Sequence, residues 1–373
     1  RQPVTNNAAG VLSLVKSGNA ALTLSGSNTF TGSITINAGS LTFATLASWG
    51  GTGKNVTFGG SGTLTSTAAY TTGATLTVNQ GSVATITPAS VTFATTMGSG
   101  TLIFNTAVNT GLLNIGNAST FTGNLQLRLS GNANYAGATA LQFSSISDTV
   151  GSSLQFVGGT SDSNQGLAMT LSGNVGPLTF DNRQVQILDR LASNWEIRDN
   201  ILANNNATAA NTWIINTPLV YLGGRANAGA QSGRVLGLGG SNTGANAFNG
   251  VISDGSSPVG IGLTKSGSGT WIVSGNNTYS GATTVSAGSL NIQHANALGA
   301  ITAGTTVAFG AQLQLQGGIS YAADPLTLTT GTSGTPVRNI SGNNTWNGSI
   351  TANSATSTPV SYTHLRAHET KAN

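Results

Sequence analysis

Apolar and hydroxyl-bearing residues alternate along this chain in short runs: Leu22-Thr23-Leu24, Ile34-Thr35-Ile36 and Leu41-Thr42-Phe43. A period of two with many β-branched partners predicts strands whose Val, Ile and Leu point inward and whose Thr and Ser point outward. Gly, Asn and Ser punctuate the runs, and no helical period separates one strand from the next. That sets aside a TIM barrel or a doubly wound sheet, both of which need helices between strands. One stretch departs from the pattern. Residues 181–199 carry seven charges (Asp181, Arg183, Asp189, Arg190, Glu196, Arg198 and Asp199), and Leu188, Leu191 and Trp195 have helical spacing. Strands beginning near Trp195 are the preferred reading there, with a loop or short helix over 181–199 as the alternative.

The strands belong to a repeat. Setting Leu14 against Leu263 aligns thirty residues without a gap, to Phe43 and Ile292, and about half the pairs are identical. The shared skeleton is Leu14, Lys16, Ser17 and Gly18, then Ser25, Gly26, Asn28, Thr29, an aromatic and Gly32, and finally Ala38, Gly39, Ser40 and Leu41. Its aromatic-X-Gly element recurs at Phe121/Gly123, Tyr135/Gly137, Phe248/Gly250 and Trp346/Gly348. Repeats of this size signal stacked architectures, in which a unit buries its apolar face only against its neighbours. Strands this short predict an all-β fold, a right-handed parallel β-helix (β-solenoid), over residues 1–359. Gly and Asn would take the positive φ values at its corners. At roughly twenty residues per coil the chain would hold about seventeen or eighteen coils, and Asn28 and Asn277 would join stacked amide ladders.

Composition narrows the function classes. Only 6% of the 373 residues are charged, Gly numbers 52, and the hydrophobic fraction is 38%, which distinguishes the chain from a polar disordered tract. The net charge of +4 comes from basic residues scattered singly, as at Lys16, Lys54, Arg128 and Lys265, so no stripe for nucleic-acid phosphates exists and a weakly charged surface is expected. Absence of Cys excludes disulfides and thiolate metal sites. No apolar run approaches the ~18 residues of a membrane helix, so no membrane insertion by this segment is expected. Residue 1 is Arg, as expected of an internal fragment.

Candidate chemistry is sparse. His294 reads as a solvated connector residue. Asp148, Asp162, Asp254 and Asp324 stand alone, and Asp254 in "SDGSS" reads as a turn residue. Some β-helices are polysaccharide lyases or hydrolases, which need clustered carboxylates. The one candidate patch is Asp181, Asp189, Glu196 and Asp199 with their arginines, which also reads as surface ion pairs. "GGTGKN" at Gly50 lacks the remaining residues of a phosphate loop, and a calcium-binding nonapeptide array would need an Asp in each repeat. Trp49, Trp195, Trp213, Trp271 and Trp346 read as core or turn packing rather than sugar platforms. No residue is therefore assigned a catalytic, cofactor-binding or metal-ligating role, and no cofactor is expected.

"LTKSGSGTWIVSGNNTYSGATTVSAGSLNI", from Leu263, resembles the autotransporter-associated β-strand repeat of passenger regions in large bacterial surface proteins, and the copy from Leu14 is similar in layout. The following "ANALGAITAGTTVAFGAQLQLQGG" resembles the connector between such repeats. The resemblance implies an extracellular or outer-membrane-displayed passenger in a Gram-negative-type bacterium, with any export barrel outside this segment. It implies a stalk or adhesin-like role without catalysis, and partners such as glycans or cell-surface molecules held through weak multivalent contacts. A carbohydrate-active enzyme on the same scaffold is the alternative. Residues 360–373 do not share the grammar: "VSYTHLRAHET", with His364 and His368, resembles a translated sequencing-library adapter and is read as a non-native tail.

Overall fold

A computed structural model describes residues 3–6, 10–51, 53–106, 112–129, 138–157, 166–171, 178–188, 194–198, 213–217, 219–221, 234–241, 244, 246–254, 260–329, 335–352 and 366–367. The fold is an all-β parallel solenoid, and every pairing among the described strands runs parallel. The chain divides into two units, residues 1–172 and 173–373.

In unit 1 three sheets share the coils. The first stacks Leu14–Lys16, Ile34–Ile36, Val56–Phe58, Thr75–Val78, Thr95–Gly98, Asn117–Phe121 and Ser145–Ile146. The second stacks Ala21–Leu24, Gly39–Phe43, Gly62–Ser66, Val83–Pro88, Thr101–Thr106, Asn124–Leu129 and Ser153–Val157. The third begins at Tyr70–Thr71 and continues through Ser90–Thr92, Leu112–Asn114, Ala138–Phe143 and Gly166–Leu171. The alternation seen in the sequence becomes an inside and an outside. Leu22, Leu41, Leu64, Ile86, Phe104, Leu127 and Phe156 lie in one register column, and all but the first are fully buried. A single-turn 3-10 helix, Leu46–Trp49, is capped by Thr45, whose Oγ1 accepts from Ser48 N. It delivers Trp49 into a stack with Phe43 and Tyr70, each ring centroid 4.0 Å from the Trp49 ring.

Unit 2 repeats the principle. One sheet runs from Leu178–Phe180 through Trp213–Ile215, Asn246–Phe248, Thr270–Val273, Ser289–Ile292 and Gln312–Gln316 to Val337–Ser341. Its inner column reads Phe180, Ile215, Phe248, Val273, Ile292 and Leu315, all fully buried. A second sheet includes Ile261–Lys265, Thr283–Val285, Thr305–Val307, Leu326–Leu328 and Ile350–Ala352.

One expectation needs correction. The uniform coil of roughly twenty residues holds only in part: Val56 pairs with Leu76, but Asn117 pairs with Ser145, and Leu178 with Trp213. Longer connections between strands lengthen these coils, so the windings are fewer than a fixed length implies. Within residues 181–199 the described strands are Gln184–Leu188 and Asn194–Arg198, the second of them spanning Trp195 as the preferred reading has it. Arg183 and Val185 are buried while Gln184 and Gln186 are half-buried, a period of two that overrides the helical spacing of Leu188, Leu191 and Trp195. Of residues 360–373, Arg366–Ala367 pairs with Thr345–Trp346, and the remainder, His364 and His368 included, lies outside the described residues.

Leu64 sits in mid-column between Leu41 and Ile86. Leu64→Ala is expected to destabilise unit 1 by about 2–5 kcal/mol, whereas Thr65→Ala, on the outer face beside it, costs less than about 1 kcal/mol. Urea midpoints of the two variants check this.

Candidate functional site

The repeat places a charge in its interior. Leu14 and Lys16 share one face of their strand, as Leu263 and Lys265 do, so the lysine points to the same inner side as the leucine, which is half-buried in the first copy and fully buried in the second. Lys16 is 5% exposed and Lys265 fully buried. Lys16 Nζ donates to the carbonyls of Ser17 (3.0 Å), Gly18 (2.6 Å) and Ala38 (3.1 Å). Lys265 Nζ donates to those of Ser266 (2.6 Å), Gly267 (2.8 Å) and Ala287 (3.1 Å). An ammonium removed from water loses several kcal/mol of solvation, and three converging carbonyls match its three donors. The third carbonyl in each set belongs to the following coil, so the lysine ties two coils together.

Glycine makes room for this junction. Gly39 (φ +70°) and Gly288 (φ +62°) are left-handed, and a Cβ on either would stand 2.8 Å from the lysine Nζ and 2.5 Å from a carbonyl oxygen, of Gly18 or Gly267. The aromatic-X-Gly element has a different cause. A Cβ on Gly32, Gly281 or Gly348 would meet the backbone of the preceding coil at Leu12, Ile261 or Asp324.

The asparagines depart from the expected amide ladder. Asn28 Oδ1 accepts from Val4 N at 2.8 Å and its Nδ2 donates to Ser48 O at 2.5 Å. Asn277 does the same between Ile252 N (2.8 Å) and Ala297 O (2.6 Å). Each bridges the coil before to the coil after through backbone groups, because its buried position faces backbone rather than another amide. A ladder does form, on the surface at strand ends: Asn216 Nδ2 donates to Asp181 Oδ1 (2.7 Å), Asn249 Nδ2 to Asn216 Oδ1 (2.8 Å), and Ser274 Oγ to Asn249 Oδ1 (2.6 Å).

Outward faces carry columns of threonine. In unit 2, Thr264, Thr284, Thr306, Thr327 and Thr351 occupy one register position through five strands. Aromatic side chains lie on the opposite side: Trp49, Trp213, Trp271 and Trp346 are at most 1% exposed. The Trp195 side chain lies outside the described residues.

Of the candidate acids, Asp181 is engaged by Asn216, Glu196 lies in the strand Asn194–Arg198, and Asp189 and Asp199 fall outside the described residues. Asp254 holds a loop, its carboxylate accepting from Ile261 N (2.7 Å) and Ser280 N (3.1 Å). Asp162 also lies outside the described residues. His294 Nδ1 accepts from Asn296 N at 3.0 Å within the connector. No group of three or more metal-ligating side chains converges among the described residues.

Sequence reasoning overlooked two features. Lys54, expected on the surface, is buried: its Nζ donates to Phe30 O and lies 4.4 Å from the Phe30 ring centroid, and burial lowers its pKa. Asp324, 4% exposed, accepts from Thr305 Oγ1 at 2.5 Å, in a cluster with buried Tyr279, whose hydroxyl lies 2.6 Å from Thr283 Oγ1. Burial raises the Asp324 carboxyl to about 6, against the opposing pull of the Thr305 hydrogen bond, and burial likewise raises the Tyr279 phenol.

Residues 14–43 and 263–292, the same windows that bear the lysine and asparagine junctions, match the passenger-associated-transport-repeat family. Both windows are similar to the passenger-associated-transport repeat. It is also 38% identical over 88 residues to an adhesin, the BmaC autotransporter of Brucella suis biovar 1 (strain 1330). That match covers 23% of this chain and 2% of the adhesin, so the chain spans a small part of its relative's length. No solved structure matches the chain. The passenger repeat therefore unites sequence identity with a defined piece of architecture, a coil-to-coil junction built from one lysine, one asparagine and two glycines.

Replacing the junction lysine by an apolar isostere removes its hydrogen bonds to three part-buried carbonyls. Lys265→Met is expected to destabilise unit 2 by about 1–3 kcal/mol, and Lys265→Arg is expected not to restore it, since a planar guanidinium cannot address three convergent acceptors. Denaturant melts of both variants check this. Asp324 gives a pH dependence whose sign follows from its raised carboxyl. The folded chain retains a proton that the unfolded chain releases above its ordinary value of 3.8, so this group's stabilisation is full below that pH and lost as pH rises through about 6. Asp324→Asn, neutral at every pH, is expected to raise the urea midpoint at pH 7.5 and flatten its change between pH 4 and pH 7.5.

Proposed function

We propose that the chain is part of a surface-displayed bacterial passenger that acts as a non-catalytic stalk with adhesin-like outer faces. The observation that carries this reading is the pair of windows similar to passenger repeats, whose shared lysine and asparagine join coils rather than line a cleft. Similarity to an autotransporter adhesin supports a place outside the cell, on the outer membrane of a Gram-negative-type bacterium. The scarcity of charge and of cysteine suits export as an unfolded chain that folds outside. Glycans or cell-surface molecules would be held by hydroxyl and amide groups that recur from coil to coil. Each contact is weak, and affinity accumulates by multivalency.

The alternative, a carbohydrate-active enzyme, calls for two carboxylates flanking a sugar. Asp181 is instead hydrogen-bonded into a surface amide ladder, which favours the stalk. The decisive experiment displays the passenger on intact cells through an export barrel and measures both its accessibility to added protease and cell adhesion to immobilised glycans. Cleavage from intact cells with density-dependent adhesion is expected. A passenger that stays inside the cell, or purified chain that releases oligosaccharide in a manner abolished by Asp181→Asn with Glu196→Gln, overturns the reading.

A further inference from the structure

The second sheet of unit 1 bears a two-dimensional array of hydroxyls. Thr23, Thr42, Thr65 and Thr87 form one column, and Ser40, Thr63 and Thr85 form a second, two residues along each strand. All seven side chains face outward, and among the described residues none is engaged in a hydrogen bond. The pairings between these four strands run without a register shift, unlike those of Thr95–Gly98 with Asn117–Phe121. Neighbours within a column therefore stand ~4.8 Å apart, and the two columns ~6.6 Å apart along the strand. Fully buried Leu41, Leu64 and Ile86 fix the strands from beneath, so the array is rigid before any ligand arrives.

The chemistry of this face selects its ligand. It contains no ionisable side chain, so it offers nothing to a polyanion or polycation. The nearby rings, Phe43, Trp49 and Tyr70, are stacked inside the core, which leaves no platform for the face of a sugar. What remains is a rigid, neutral lattice of alternating hydroxyl and methyl groups. The matching partner is a rigid, neutral lattice of donors and acceptors with nearly the same two repeats. The a-axis repeat of hexagonal ice lies within a few tenths of an ångström of the column spacing, and its c-axis repeat within an ångström of the spacing between columns.

We propose that this face binds ice. Hydroxyls take the positions of lattice oxygens and methyls seat in the hollows between them, so that water already ordered at the array joins the crystal surface. The threonine column of unit 2 is a single file and defines no such plane, which assigns the activity to unit 1. This goes beyond the stalk reading and does not depend on it.

The test uses the full chain in two assays, partition into a slowly grown ice hemisphere and inhibition of ice recrystallisation. The native chain is expected to enter the ice and to arrest grain growth. Thr63→Lys with Thr65→Lys sets two charges in the plane and is expected to raise the concentration needed for inhibition at least about tenfold, because each ammonium must be desolvated against a neutral lattice. Thr85→Lys alone gives an intermediate loss, and Ser119→Lys, on an exposed position of another sheet, gives none. Circular dichroism and melting temperature establish that each variant folds. A native chain rejected by the growing ice, or a folded double-lysine variant as active as the native chain, overturns the proposal.

Discussion

Parallel, in-register stacking places each paired strand residue about 4.8 Å from the residue that holds the same place in the next coil. Whatever one coil presents, its neighbours must tolerate at that distance. Aliphatic residues satisfy the condition inside, as the column from Leu22 to Phe156 does, and threonines satisfy it outside, as from Thr264 to Thr351. Charges do not satisfy it, because like charges directly opposite on adjacent strands repel. A chain of 373 residues with 13 Lys and Arg and 9 Asp and Glu is what this rule selects. The low charge, which on composition alone suggests a linker, follows from the geometry.

Corners, where the backbone turns and carbonyls lose their strand partners, admit charged and amide groups to the interior. Lys16 and Lys265 occupy such corners, and their ammonium groups supply the donors that the corners lack. Asn28 and Asn277 serve neighbouring coils in both directions, with one acceptor and one donor on a single side chain. Buried polar groups that are fully hydrogen-bonded specify a unique arrangement more than apolar packing can. Here they set which coil follows which.

Much of the architecture was legible in residue order because its signals are local. The alternation at Ile34-Thr35-Ile36 needs only a strand to explain it, and the two thirty-residue copies needed only comparison with each other. The lysines were misread as surface charges, although a Lys held at the same place in both copies of a chain so poor in Lys was a signal that an interior partner existed. Coil length was misjudged because connections between strands have no period. The Asp324 cluster was illegible: Thr283, Thr305 and Asp324 meet only through the stacking of strands some twenty residues apart. The surface ladder from Asp181 through Asn216 to Asn249 was equally hidden, since its members are spaced by loops of unequal length.

The third acceptor of each junction lysine lies 22 residues downstream, at Ala38 or Ala287. Without that later segment the ammonium has two of its three carbonyl acceptors. At these two corners a winding is thus completed by its successor, so a chain cut between the two would leave the corner short of an acceptor.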